Sequence, residues 1–171
     1  MATKNTKDSK GYVVKMAFEP VPEEVERLAT SVIGAALEVH KHLGPGFLER
    51  IYHEALCQEL QLREIPYERE CAVVVNYKGV AITGERIDLI VNRRLVVELK
   101  AASRLDPIHE AKLISYVRTI GLRLGLLLNF NCPTMKEGVK RIVVSPQRSR
   151  VTRVGHVNAS SSEASPDIAG T

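Results

Sequence analysis

The strongest constraint on this chain is a change of period. From Glu23 to Leu43 the apolar residues Val25, Leu28, Ala29, Val32, Ala36 and Val39 recur at helical spacing, and Gly44-Pro45-Gly46 stops the run. A second helix is expected from about Phe47 to Leu62, with Leu48, Ile51, Ala55 and Leu56 as its apolar stripe. Then the period drops to two. Tyr67 to Tyr77 reads as a strand, Ile82 to Val91 as a second and Leu95 to Ala101 as a third. The link Asn92-Arg93-Arg94 is short and polar, so the last two of these should pair as a hairpin.

The helical period returns once. Asp106-Pro107 opens a helix, with Asp at the cap and Pro in the first turn, and Gly121 ends it after Ile120. Arg123 to Phe130 is apolar enough for a central strand, and a last short strand is expected near Arg141 to Val144. This order predicts an α/β fold: a mixed central sheet flanked by helices, antiparallel at one side.

The length of 171 residues fits one domain, placed here at 23–144, between a flexible arm at 1–22 and a disordered tail at 145–171. With 44% hydrophobic residues and no Trp, the core must be mostly Leu, Ile, Val and Ala. A net charge of +4 mildly favours a polyanionic partner. The basic residues Lys136, Lys140, Arg141, Arg148, Arg150 and Arg153 could grip a phosphate backbone, though a solvated tail explains them as well. Three cysteines with no CxxC spacing make a reducing cytoplasm the default. No segment approaches the roughly 18 apolar residues of a membrane span. His40, His42 and Cys57 fit no common zinc spacing, and no Walker loop or nucleophile elbow is present.

The chemistry concentrates between Arg86 and Lys100. On a strand, Glu98 and Lys100 leave from one face, while Val97 and Leu99 face the other way. If the hairpin turn holds three residues, Asp88 stands opposite Glu98 on that face, and two carboxylates come to within about 5 Å at Cβ. Such a pair repels unless a divalent cation takes both as oxygen ligands. If the turn holds two residues, Asp88 points to the other face. An E-x-K pair by itself is ordinarily a solvated surface pair. Hydrolysis of a phosphodiester needs a metal to polarise the phosphate and acidify a water, and a positive charge where negative charge develops. Asp88 and Glu98 could hold the metal; Lys100 could supply the charge and orient the water.

The run Gly44-Pro-Gly-Phe-Leu-Glu49-Arg-Ile-Tyr52-His-Glu-Ala-Leu56 resembles the signature of the GxxExxY proteins, a family of small PD-(D/E)XK, RecB-like nuclease-fold domains. The likeness continues through Val39 to Gly44, Arg86-Ile-Asp88, Val97-Glu-Leu-Lys100, His109 to Tyr116 and Gly121 to Phe130, over roughly residues 25–144. It implies a restriction-endonuclease-like core and a nuclease using Mg²⁺ or Mn²⁺ on DNA or RNA. By position, Asp88 and Glu98 match its metal-binding acids, Lys100 its catalytic lysine, and Glu49 an acid that supports the metal, often through water. Tyr52 shares a helical face with Glu49 and could position it.

His109, Lys112 and Tyr116 share a helix face and are the candidate substrate-binding residues, with Tyr52. The family usually has Gln where this chain has Lys112. Gln both donates and accepts hydrogen bonds, whereas Lys only donates. Lys112 could contact a phosphate, or pair with Glu98 and compete with the metal. The rival reading is therefore an inactive nuclease-fold protein that binds nucleic acid or a protein partner. A homo-oligomer is compatible with either.

Overall fold

Pro22 cannot extend a helix backwards, and Glu23, Glu24 and Glu26 place negative charge on the first turn of the helix that follows it. A computed structural model of the chain, describing residues 5–7, 13–15 and 20–145, runs this helix, α1, over Glu23–Leu43. Gly44 ends it at φ +65, a backbone angle that Gly adopts at little cost, with its N–H on the His40 carbonyl. Helix α2 spans Glu49–Leu62. It starts two residues later than the sequence pattern suggests, because Leu48 is extended and serves as the cap position.

Strands β3 (Tyr67–Tyr77), β4 (Val80–Val91) and β5 (Leu95–Lys100) follow, then α3 (Pro107–Thr119) and β6 (Leu124–Asn129). A single turn of helix, α4 (Met135–Gly138), leads into β7 (Val139–Val143). The sequence pattern announces neither α4 nor the extra two residues at the start of β4, and it puts the last strand two residues late. Ahead of α1, two short strands, β1 (Asn5–Lys7) and β2 (Val13–Lys15), pair antiparallel inside the stretch read as an arm. The tail reading of 146–171 lies outside the described residues.

The five-stranded sheet has the order β3-β4-β5-β6-β7 and is antiparallel except between β5 and β6, which α3 connects in parallel. Alternation along the central strands splits the core in two. Leu95, Val97, Leu99, Leu124, Leu126 and Leu128 pack with α1 and with Tyr52, Leu56 and Leu60 of α2. Val96 and Leu127 pack with Leu113, Tyr116 and Val117 of α3 on the other face. Gly125 lies on the α3 side, and a Cβ there would come within 2.8 Å of Leu113 and 2.9 Å of Val117. A side chain at 125 would therefore push α3 off the sheet. Among the described residues no helix is long and apolar enough to cross a membrane.

Candidate active site

The hairpin that leads to the site closes with Val91 paired to Leu95, so its turn holds three residues. Asn92 and Arg93 take positive φ (+47 and +54), and Arg94 N–H donates to Val91 O. Left-handed backbone is mildly costly for Arg and well tolerated by Asn. The register then runs Ile90↔Val96 and Leu89↔Val97, and one further step would set Asp88 against Glu98. The ladder stops just short of it.

At Asp88 the sheet forks. Leu89 packs on the α1/α2 side, yet Ile87, two residues before it, packs on the α3 side. Across the strand, Glu70 has φ +49, and the β3–β4 register passes from Arg69↔Leu89 to Cys71↔Ile87. The break in alternation frees the Asp88 carboxylate from the ladder, and it accepts the Leu99 N–H at 2.7 Å. His53 of α2 supports the same residue from behind, its Nε2 lying 3.4 Å from Asp88 O. Arg69 Nη2 is 3.2 Å from His53 Nδ1, and a guanidinium can only donate. Nδ1 is therefore the acceptor, and Nε2 carries the proton offered to Asp88.

Glu98 is 1% exposed. Its Oε1 lies 3.0 Å from Lys100 Nζ and 3.5 Å from Lys112 Nζ. Its Oε2 is buried with no hydrogen-bond partner. Lys100 also reaches the Leu99 carbonyl and lies 3.7 Å from Glu49 Oε1, while Glu49 Oε2 accepts Ala101 N–H at 3.3 Å. Glu49, Asp88, Glu98 and Lys100 thus lie near one another at the C-terminal end of β5. Burial, opposed by the Leu99 N–H and Lys100, raises the Asp88 pKa above the usual carboxylate range, and the Glu49 charge adds to the rise. Burial raises Glu98 as well, with the Asp88 charge next, against Lys100 and Lys112.

Lys112 bridges to Glu85, 3.4 Å away, and lies 5.3 Å from the Tyr116 ring centroid. Burial works against its charge, yet the Tyr116 hydroxyl and the Glu98 and Glu85 carboxylates hold its pKa above the ordinary lysine range. Tyr116 donates to Glu85 Oε2 at 2.6 Å, and its own pKa is pushed up to about 12 by burial and that bond. The Glu85 carboxylate is exposed, and its bonds to Tyr116 and Lys112 lower its pKa.

Two of the candidates carry structural bonds of their own. Tyr52 is fully buried and stacked on Phe130, with ring centroids 4.7 Å apart. Its hydroxyl donates to Gly44 O and accepts Phe47 N–H, so it pins the loop before α2 and faces no substrate. It steadies Glu49 only by fixing the start of that helix. His109 accepts the Asp106 N–H at Nδ1 and closes the first turn of α3, so that ring nitrogen is taken by the helix cap.

The sequence reading passed over His53, Glu85 and Asn129. The Asn129 side chain accepts Ala102 N–H and donates to Ala102 O, holding the backbone just after Lys100. A polar residue ending an otherwise apolar strand, beside Lys100 in the parallel register, was the one available signal.

The donor set suits a hard divalent cation. Three carboxylates, Glu49, Glu85 and Glu98, pair with two ammonium groups, Asp88 lies beside them on Leu99 N–H, and one buried carboxylate oxygen has no partner. Among the described residues no three His, Cys, Asp or Glu side chains converge tightly enough to enclose an ion alone. Water or substrate would have to complete its shell, as open catalytic sites require.

A family model described as the PD-(D/E)XK nuclease superfamily matches residues 26–142. The chain belongs to that superfamily. The PD-(D/E)XK assignment agrees with the mixed five-stranded sheet and its flanking helices, a restriction-endonuclease-like α/β architecture. PD-(D/E)XK nucleases generally use divalent metal ions. Neither the curated proteins nor the solved structures give a significant match to the chain.

Proposed function

We propose that this chain is a metal-dependent phosphodiesterase that cleaves DNA or RNA with Mg²⁺ or Mn²⁺, and that within its superfamily it groups with the GxxExxY proteins. The observation that carries the reading is Glu98 Oε2, a buried carboxylate oxygen without a partner beside the fork that holds Asp88. Evolution seldom leaves such an atom unmatched in a fold for packing reasons alone.

Asp88 and Glu98 are the residues that would hold the ion, with Glu49 supporting it. When bound, the ion lowers the pKa of a water and neutralises charge on the phosphate. Asp88 keeps its geometry because Leu99 N–H and His53 fix it on two sides. The Lys100 ammonium, 15% exposed, orients the attacking water or meets the negative charge that develops on the phosphoryl oxygens. Lys112 flanks the Glu98 carboxylate from α3, with the Tyr116 ring beside its ammonium. The +4 net charge supports a nucleic-acid partner.

One observation favours the rival reading of a non-cutting binder: Lys112 already pairs with Glu98. Labelled single- and double-stranded DNA and RNA, incubated with Mg²⁺, Mn²⁺ or EDTA, separate the two. We expect metal-dependent cleavage that is lost in Asp88→Asn and Lys100→Ala. Binding of nucleic acid by every variant, with no cleavage even by the native chain, would replace the nuclease by a binding module.

A further inference from the structure

The two ammonium groups at Glu98 share one oxygen and leave the other bare. Lys100 approaches Oε1 from β5 on the side of Glu49, and Lys112 approaches the same atom from α3. Lys112 does not hang there loosely. Its Nζ lies between Glu98 Oε1 (3.5 Å) and Glu85 Oε2 (3.4 Å), and Glu85 is itself tied to the Tyr116 hydroxyl. The Tyr116 ring lies beneath the ammonium at 5.3 Å. A fixed positive charge therefore fills the α3 flank of the buried acid, and the unpartnered Oε2 is what remains for a mobile cation.

We propose that Lys112 is a resident cation that restricts this site to a single divalent ion, bound by Asp88 and Glu98, and excludes a second ion from the α3 flank of Glu98. The inference rests on the metal-dependent reading above and deepens it by fixing how many ions the chain takes. Its physical basis is simple: an ammonium 3.5 Å from a ligand oxygen both occupies that oxygen and repels any further cation near it. A neutral side chain such as Gln could still donate to that oxygen but would not repel a further cation.

The test is Mn²⁺ binding to the full chain without nucleic acid, read from the electron-spin-resonance signal of free Mn²⁺ and by calorimetry. Native protein, Lys112→Gln and Lys112→Arg are compared; the Lys112 side chain is 37% exposed, so neither change disturbs the core. The expected result is one ion for the native protein and for Lys112→Arg. Lys112→Gln should take two, with the first bound at least ~10-fold more tightly, since a tenfold change needs only a small electrostatic gain. One ion at native affinity in Lys112→Gln overturns the proposal and leaves the nuclease reading standing. So does Lys112→Arg behaving like Lys112→Gln, because charge would then not be the cause. Absence of Mn²⁺ binding in all three overturns both.

Discussion

On its α1/α2 side β5 presents Leu95, Val97 and Leu99, each with no exposed surface and each part of the apolar core. On its other side the same six residues present Val96, Glu98 and Lys100, and beyond Val96 the surroundings become ionic. The first face removes hydrocarbon from water and stabilises the fold by roughly 1.5–3 kcal/mol for each large side chain. The second buries a carboxylate that lacks one of its partners, which opposes folding. The contrast teaches that stability and chemistry are separated by a single peptide step along one strand. The apolar face offsets the cost of the charged one.

The largest expected effect lies on the charged face. Asp88→Asn should reduce cleavage by ~10³-fold or more, since it removes a metal ligand. The amide still accepts from Leu99 N–H, so circular dichroism should show the native fold. Retained cleavage would break the assignment of the two faces.

Leu126→Ala tests the other face. It should lower unfolding stability in urea by about 2–5 kcal/mol, while Mn²⁺ affinity per folded molecule stays native. A parallel loss of Mn²⁺ affinity would mean that the faces are coupled.

Asn129→Ala joins the two tests. It should cost about 1–3 kcal/mol by leaving Ala102 N–H and C=O without their partner, and it should also weaken Mn²⁺ binding by loosening the backbone after Lys100.

The smallest effect is in pH. Asp88 and Glu98 both titrate above the usual carboxylate range, burial being the main cause. Between the ordinary and the raised values the folded protein binds more protons than the unfolded chain. Stability of the metal-free protein should therefore rise as pH falls through that window. Mn²⁺ affinity should fall over the same window, because protons compete for the same oxygens. Asp88→Asn should be more stable than native protein at neutral pH without metal and should show a flatter profile. Thermal melts across the acid range check both signs.

Much of this was legible in the sequence. Periods of 3.6 and 2 mark α1, α2 and β3 to β5, the Asp-Pro start and Gly stop mark α3, and a continuous apolar run marks β6, which is buried throughout. Local spacing put Glu98 and Lys100 on one face, with Asp88 joining them in one of two hairpin registers until Val91↔Leu95 closed the choice, while Glu49 came in through the family resemblance alone. What stayed hidden depends on bonds between distant residues. His53 meets Asp88 across 35 positions, Tyr116 meets Glu85 across 31, and Asn129 meets Ala102 across 27. No periodicity encodes such pairings. Tyr52 leaves the substrate-binding set for a related reason: the sequence cannot show that its hydroxyl turns back to Gly44.

The bond from Leu99 N–H to the Asp88 carboxylate has a use of its own. An amide proton aimed at a carboxylate resonates far downfield, and its shift changes when that carboxylate is protonated or ligated. The molecule therefore carries an intrinsic probe one atom from its candidate metal ligand. A single nitrogen-15 label at Leu99 would report, under diamagnetic Mg²⁺, on occupancy, proton competition and the order in which ion and nucleic acid arrive.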